Sequence, residues 1–178
     1  MPIYTHQGDT GTTSLFGRIR VDKDDPHLEV CGNLDELSAS LGIVRSKGLP
    51  REWETVILRI QQELIFFCTE IVSDSAMISS EHVRQLETDI DRMESGLPPL
   101  TQFILPGENH ISALLHLSRT ICRRAERSLV ALLRTQKKSP HLAAYLNRLS
   151  DLLFVVARQV SLEEPCTLKF SCVSGQNE

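Results

Sequence analysis

Apolar residues recur at steps of three and four along most of this chain, with polar residues between them, the signature of helices that bury one face. Val30, Leu34, Leu37, Leu41 and Val44 form the first stripe, stopped by Gly48 and Pro50. Trp53, Val56, Ile57, Ile60, Leu64, Phe67, Cys68 and Ile71 form the second, over about residues 51–72, before a serine-rich break at 73–80. Val83, Leu86, Ile90 and Met93 mark a third helix over about residues 80–94, ended by Gly96, Pro98 and Pro99. The fourth and longest, about residues 108–135, carries Ile111, Leu114, Leu115, Ile121, Cys122, Ala125, Leu129, Leu132 and Leu133. Ser139-Pro140 then reads as an N-cap followed by a proline in the first helical turn. The fifth helix turns Leu142, Leu146, Leu149, Leu152, Leu153, Val156 and Val160 inward.

Residues 4–23, rich in Gly and Thr, have no helical period and read as an extended arm or loop. The predicted fold class is therefore all-α: an up-and-down five-helix bundle with an extended N-terminal arm. At 178 residues, with no internal repeat, the chain reads as one domain: arm 1–25, bundle 26–162 and tail 163–178.

Composition narrows the possibilities. Hydrophobic residues make up 41% and aromatics 5%, so the core rests on aliphatic side chains. A net charge of −4 gives no global reason to expect nucleic acid or acidic membrane as a partner, so any anion site must be local. No apolar run approaches the roughly 20 residues of a membrane span. Cys31, Cys68, Cys122, Cys166 and Cys172 are odd in number, without Cys-x-x-Cys, and residues 1–9 resemble neither a signal nor a transit peptide. Reduced thiols in the cytoplasm are the expectation.

The fourth helix carries the densest polar information. His116, Arg119, Arg123, Glu126 and Arg127 fall on one flank beside its apolar stripe, and Arg124 points elsewhere. Four arginines within nine residues make a cationic patch whose guanidinium forks match phosphate oxygens. The alternative is a solvated face whose Arg and Glu side chains pair with each other. In the arm, Gly8-Asp9-Thr10-Gly11-Thr12-Thr13-Ser14 offers glycine amides and hydroxyls to a phosphate and a carboxylate to Mg²⁺, or is a plain turn; it is not a Walker A loop. Lys23 follows at a spacing that a folded-back arm brings to the same phosphates. Asp35 stands between apolar positions, as a surface carboxylate or as partner to an arginine on another helix or subunit. Phe103 opens the apolar loop Phe103-Ile-Leu-Pro-Gly107, a core anchor or a platform for a flat ligand. Asn147, on the fifth helix, can hydrogen-bond a nucleoside edge or another helix. Glu-x-x-His, His-Glu-x-x-His and Gly-x-Ser-x-Gly are absent, as is any zinc-spaced cysteine set, so no protein metal ligands are assigned.

Read together, these segments resemble the PduO-type ATP:cob(I)alamin adenosyltransferases. The resemblance rests on YTHQGDTGTTSLF, Lys23-Asp-Asp-Pro26, Gly32-x-x-Asp-Glu-Leu37, Phe103-Ile-Leu-Pro-Gly107, Ala113-Leu-Leu-His-x-x-Arg119, Arg123-Arg-Ala-Glu-Arg127 and Leu146-Asn-Arg-Leu-Ser-Asp-x-Leu-Phe154. It implies transfer of the 5′-deoxyadenosyl group of ATP to a reduced corrinoid, giving adenosylcobalamin and triphosphate. It also implies a homotrimer with both substrates at subunit interfaces, Mg²⁺, and cob(II)alamin reduced to cob(I)alamin as the cosubstrate. A corrinoid reductase and an adenosylcobalamin-dependent enzyme are the implied partners; nucleic acid and membrane are not. By this resemblance the arm is nucleotide-binding, through Thr5, His6, Gln7, Gly8, Thr13 and Ser14 with Lys23 on the phosphates. Arg123, Arg124, Ala125, Glu126, Arg127 and Asn147 complete that pocket. Arg119 matches the arginine that pairs with the aspartate here at Asp35 across a subunit boundary, and Phe103 the phenylalanine that blocks the lower face of the corrin. His6, His27 and Glu108 depart from the residues usual at their positions. The competing functional class is a non-catalytic adenosylcobalamin carrier.

Overall fold

The computed structural model describes residues 3–15, 19–73, 75–101 and 103–163. In chain order a hairpin of β1 (Thr12–Ser14) and β2 (Arg20–Asp22) precedes α1 (Pro26–Arg45), α2 (Arg51–Val72), α3 (Ser80–Glu94), α4 (His110–Leu133) and α5 (Pro140–Glu163). The tail beyond Glu163, with Cys166 and Cys172, and Phe16 of the arm motif lie outside the described residues.

The helices start where side chains can satisfy their free amides. The Asp25 carboxylate accepts from the His27 amide at 2.8 Å, with Pro26 opening the helix. Ser79 and His82 form a reciprocal cap on α3, and Asn109 accepts from the Ser112 amide at 2.7 Å on α4. Ser139 accepts from the His141 amide at 3.2 Å on α5. Both α2 and α3 span the residues expected from the pattern, and α4 begins two residues later than expected and ends two earlier. The hairpin, antiparallel with Thr13 opposite Val21, was not foreseen, because three-residue strands are too short to display alternation.

Neighbouring helices run α2, α1, α4, α5, α3, so α4 sits between α1 and α5. Successive helices alternate in direction. Ser40 meets Ser118 at 3.0 Å and Asn33 meets Ser128 at 3.2 Å between α1 and α4. On the other side of α4, Ser112 meets Ser161 at 2.8 Å. The core is aliphatic, as expected, with Phe67 and Tyr145 its largest fully buried side chains.

One polar network closes the circle between α2, α3 and α5. Tyr145 donates its hydroxyl to Glu63 at 2.6 Å, and Arg59 bridges Glu63 at 2.7 Å and Asp89 at 2.6 Å. Burial, and then the Glu63 carboxylate, push the Tyr145 hydroxyl well above its ordinary value, so it stays a donor. Tyr145→Phe removes that donor from a buried carboxylate and should cost about 1–3 kcal/mol in urea unfolding; an unchanged midpoint would remove the hydroxyl from the account of stability.

Candidate functional site

The arm holds its shape through backbone turns. Amides of Asp9 and Gly11 return to the carbonyls of His6 and Gly8 at 3.4 and 3.3 Å, and the Lys23 amide reaches the Gly11 carbonyl at 2.9 Å. Gly11 has φ +85° and His6 φ +58°, both left-handed. His6 is tied to Asp9 at 3.2 Å. Arg20 donates to the Gln7 carbonyl at 2.6 Å and also bonds the Thr12 hydroxyl. Lys23 lies over Gly8, so close that a methyl group on that glycine would come to 3.3 Å of Nζ. The fold-back brings Lys23 onto the glycine loop; Thr5, His6, Gln7 and Ser14 are exposed, and Gly8 and Thr13 half-buried.

The arginines of α4 divide by their partners. Arg124 turns toward α1, where it bonds Asn33 at 2.9 Å and pairs with Glu36. Arg123 and Arg127 are exposed and make no hydrogen bond or ion pair among the described residues. Glu126 accepts from Asn147 at 3.1 Å, and the two side chains line one cleft of about 390 Å³ with Val83, Glu87, Ala143, Ala144 and Arg148. The face is therefore not a self-neutralised set of charges. Ala125, placed in the apolar stripe by its spacing and in the pocket by the resemblance, is fully buried in the bundle core.

Farther toward the start of α4, Phe103 and Arg119 meet in a cleft of about 510 Å³ completed by Leu100, Thr101, Ile104 and Phe154. Phe103 is fully exposed, packed on nothing, on a loop whose Gly107 has φ +120°. That rules out a core-anchoring role for its ring. Arg119 Nε is buried without a hydrogen-bond partner among the described residues. His116, expected on the charged flank, instead lies buried with its ring against Phe154 at 5.9 Å. Burial, and then the Arg119 charge, hold its imidazole below the usual value, against an opposing pull from Glu108. Asp35 is exposed on α1 and, within one chain, forms no hydrogen bond or ion pair with Arg119.

The cobalamin adenosyltransferase family profile matches residues 3–160. This chain belongs to that family. It is 44% identical over 165 residues to the corrinoid adenosyltransferase PduO of Salmonella typhimurium, covering 89% of this chain and 49% of that one. The chain thus spans about half the length of that relative. A corrinoid adenosyltransferase of Citrobacter freundii is 40% identical over 163 residues, 88% of this chain and 93% of that one. Among solved structures, a variant PduO-type ATP:corrinoid adenosyltransferase from Lactobacillus reuteri, complexed with cobalamin and ATP, superposes with TM-score 0.85 at 30% identity, covering 92% of each chain.

For a cobalamin adenosyltransferase, the grouping in space is informative. Glu126 joins Asn147, Lys23 joins the glycine loop, and Phe103 joins Arg119. Among the described elements, the strands of the arm pair chiefly with each other. Phe154 and Ile104 were missed as cleft residues, although Phe154, an aromatic at the edge of the inward stripe of α5, was the available signal. His27, at a departing position, bonds Asp25 at 2.7 Å and Gln136 at 2.9 Å, and so ties the start of α1 to the end of α4.

The buried His116 carries a pH prediction. Its folded pKa is depressed, so below about pH 6.5 the unfolded chain binds more protons and stability falls as pH drops. His116→Gln should flatten that slope in melts between about pH 7.5 and 5.5; a slope equal to the wild type's would exclude this imidazole as its source.

Proposed function

We propose that this chain is an ATP:corrinoid adenosyltransferase, moving the 5′-deoxyadenosyl group of ATP to the cobalt of a cob(I)alamin substrate and releasing triphosphate. The observation that carries the reading is the pair of guanidinium groups, Arg123 and Arg127, left unpaired among the described residues on a family-matched helix of an acidic protein. Cobalt(I) is the nucleophile; it forms the Co–C bond at C5′ as the C–O bond to the triphosphate breaks. Negative charge grows on the leaving oxygen, and fixed cations aimed at it lower the barrier without any proton transfer. Arg123, Arg124, Arg127 and Lys23 are assigned to that charge. Thr5, His6, Gln7, Gly8, Thr13 and Ser14 hold the nucleotide from the arm, with Glu126 and Asn147 at its other edge.

Mg²⁺ belongs to the same reading, neutralising phosphate charge. No three of the described His, Cys, Asp or Glu side chains converge as a cage, which fits an ion held chiefly by phosphate oxygens and water. Phe103 is assigned to the lower face of the corrin, where an apolar ring excludes water and the axial ligand, easing reduction of the cob(II)alamin substrate. A reductase supplies that electron, and an adenosylcobalamin-dependent enzyme takes the product. We further infer a homotrimer, with Asp35 of one subunit meeting Arg119 of the next. The lack of a hydrogen bond or ion pair between Asp35 and Arg119 within one chain supports a site shared between chains. The cytoplasm is the assigned compartment, in keeping with three free thiols among the described residues.

An anaerobic spectral assay tests the activity. Cob(I)alamin plus ATP should lose its Co(I) band over many turnovers and yield triphosphate; stoichiometric binding of adenosylcobalamin without ATP consumption would make the protein a carrier instead. Arg123→Ala should lower kcat by roughly 100-fold or more with an unchanged melt, since that side chain is exposed. A full-rate variant would strike Arg123 from the site.

Phe103→Ala gives a sharper division. Conversion starting from cob(II)alamin should fall at least about 10-fold, conversion of preformed cob(I)alamin much less, and stability should stay within about 0.5 kcal/mol because the ring packs on nothing. Equal loss from both starting states would reject the wedge role.

A further inference from the structure

Two of the three described free cysteines face each other between α1 and α2. The register of these antiparallel helices shows why. Arg45 pairs with Glu54 at 3.5 Å, and Gln61 donates to the Ser38 carbonyl at 2.8 Å. Moving seven residues back along α1 and seven forward along α2 takes the first pair to the second, and the same step again arrives at Cys31 and Cys68. Seven residues is close to two helical turns, so all three pairs lie along one seam. The two thiols are neighbours on this seam that act on each other electrostatically, and both are half-buried against the margin of the core. Asp35 stands one turn along α1 from Cys31, and its charge is felt at both sulfurs.

We propose that Cys31 and Cys68 are a peroxide-reactive dithiol that closes to a reversible disulfide, stapling α1 to α2 beside Asp35. The roles of the two sulfurs are unequal. The neighbouring Cys68 thiol favours the Cys31 thiolate, outweighing burial and the Asp35 charge, whereas Cys68 is driven to keep its proton. Cys31 therefore attacks hydrogen peroxide. Its thiolate takes one oxygen, the O–O bond breaks, hydroxide leaves and a sulfenic acid forms. Cys68 then attacks the sulfenic sulfur; the S–S bond forms and water departs. Over both steps the thiols lose two electrons, which reduce one peroxide. Cys122 stays out of this chemistry, fully buried, donating to the Leu146 carbonyl at 3.4 Å and with its thiol pushed up by burial.

Peptide mapping of the full chain tests this independently of the activity assigned above. After treatment with hydrogen peroxide, alkylation of remaining thiols and proteolysis, mass spectrometry should find the Cys31 peptide joined to the Cys68 peptide. The joined mass should be two hydrogens below the sum of the two, and dithiothreitol should release them. Recovery of both cysteines alkylated once the peroxide is consumed, or of Cys68 joined to another cysteine, would overturn the assignment. In Cys68→Ser the reaction should stop at the Cys31 sulfenic acid, trapped as a dimedone adduct, and a peroxide-treated variant without that adduct would refute Cys31 as the attacking sulfur. Should that substitution prevent folding, the wild-type peptide map decides alone.

Discussion

The structure depends on α4 being packed on two sides at once. Against α1 it is held by small polar contacts, Ser40 with Ser118 and Asn33 with Ser128; against α5 by Ser112 with Ser161 and the Cys122 thiol on the Leu146 carbonyl. Small side chains at these crossings let the helices approach closely, and each buried hydroxyl has found a partner. A helix covered on two sides has a single strip left for charge. Arg119, Arg123 and Arg127 follow that strip at helical spacing, so their common direction is a consequence of core packing and not of attraction among them. Like charges placed side by side repel, and among the described residues no carboxylate pairs with Arg123 or Arg127. A polyanion is the natural complement to such an arrangement.

Much of this was legible in the sequence because the helical period is a direct record of burial. Leu142, Leu146, Leu149, Leu152, Leu153, Val156 and Val160 could be placed inward from spacing alone, and each is buried. The separation of Arg124 from its neighbours was readable on the same wheel and is realised as its bonds to Asn33 and Glu36. Angular position does not carry depth, however. His116 lies at the border of the apolar stripe, and only the seating of α5 against α4, with Phe154 against its ring, decides that it is covered. Tyr145 escaped for a related reason: a polar tip on an inward position looks ambiguous until its partner, Glu63, arrives from a helix 82 residues away. Pairings of that separation, like the fold-back of Lys23 onto Gly8, leave no local trace in the pattern.

The polar groups inside the bundle are of two kinds, and the contrast is instructive. Glu63, Asp89, Arg59 and Tyr145 satisfy one another, and the Glu70 carboxylate accepts from the amides of Met77 and Ile78 at 2.7 Å each. Four buried polar atoms lack partners among the described residues: His116 Nδ1 and Arg119 Nε toward the Phe103 cleft, and Arg45 Nε and Trp53 Nε1, which do not line it. An unmet buried donor on a guanidinium costs more than on a neutral group. At Arg119 the unmet donor lies beside an open cleft, where a group entering that cleft could accept from it.

The same end displays the opposite anomaly in Phe103, an apolar ring held wholly in water beside a cleft of about 510 Å³. Folding gains nothing from that placement, because the hydrophobic contribution arises only when the surface is covered. Gly107, with φ +120°, fixes the path of the loop without a side chain in the way. An orphaned cationic donor and an uncovered aromatic ring, facing one cavity, are complementary to a ligand that is broad, mostly apolar and able to accept hydrogen bonds at its edge. A corrin meets that description, with its flat macrocycle and amide-bearing rim. In one chain the ring is left uncovered and the donor unmet, and a ligand of that shape in the cleft would answer both at once.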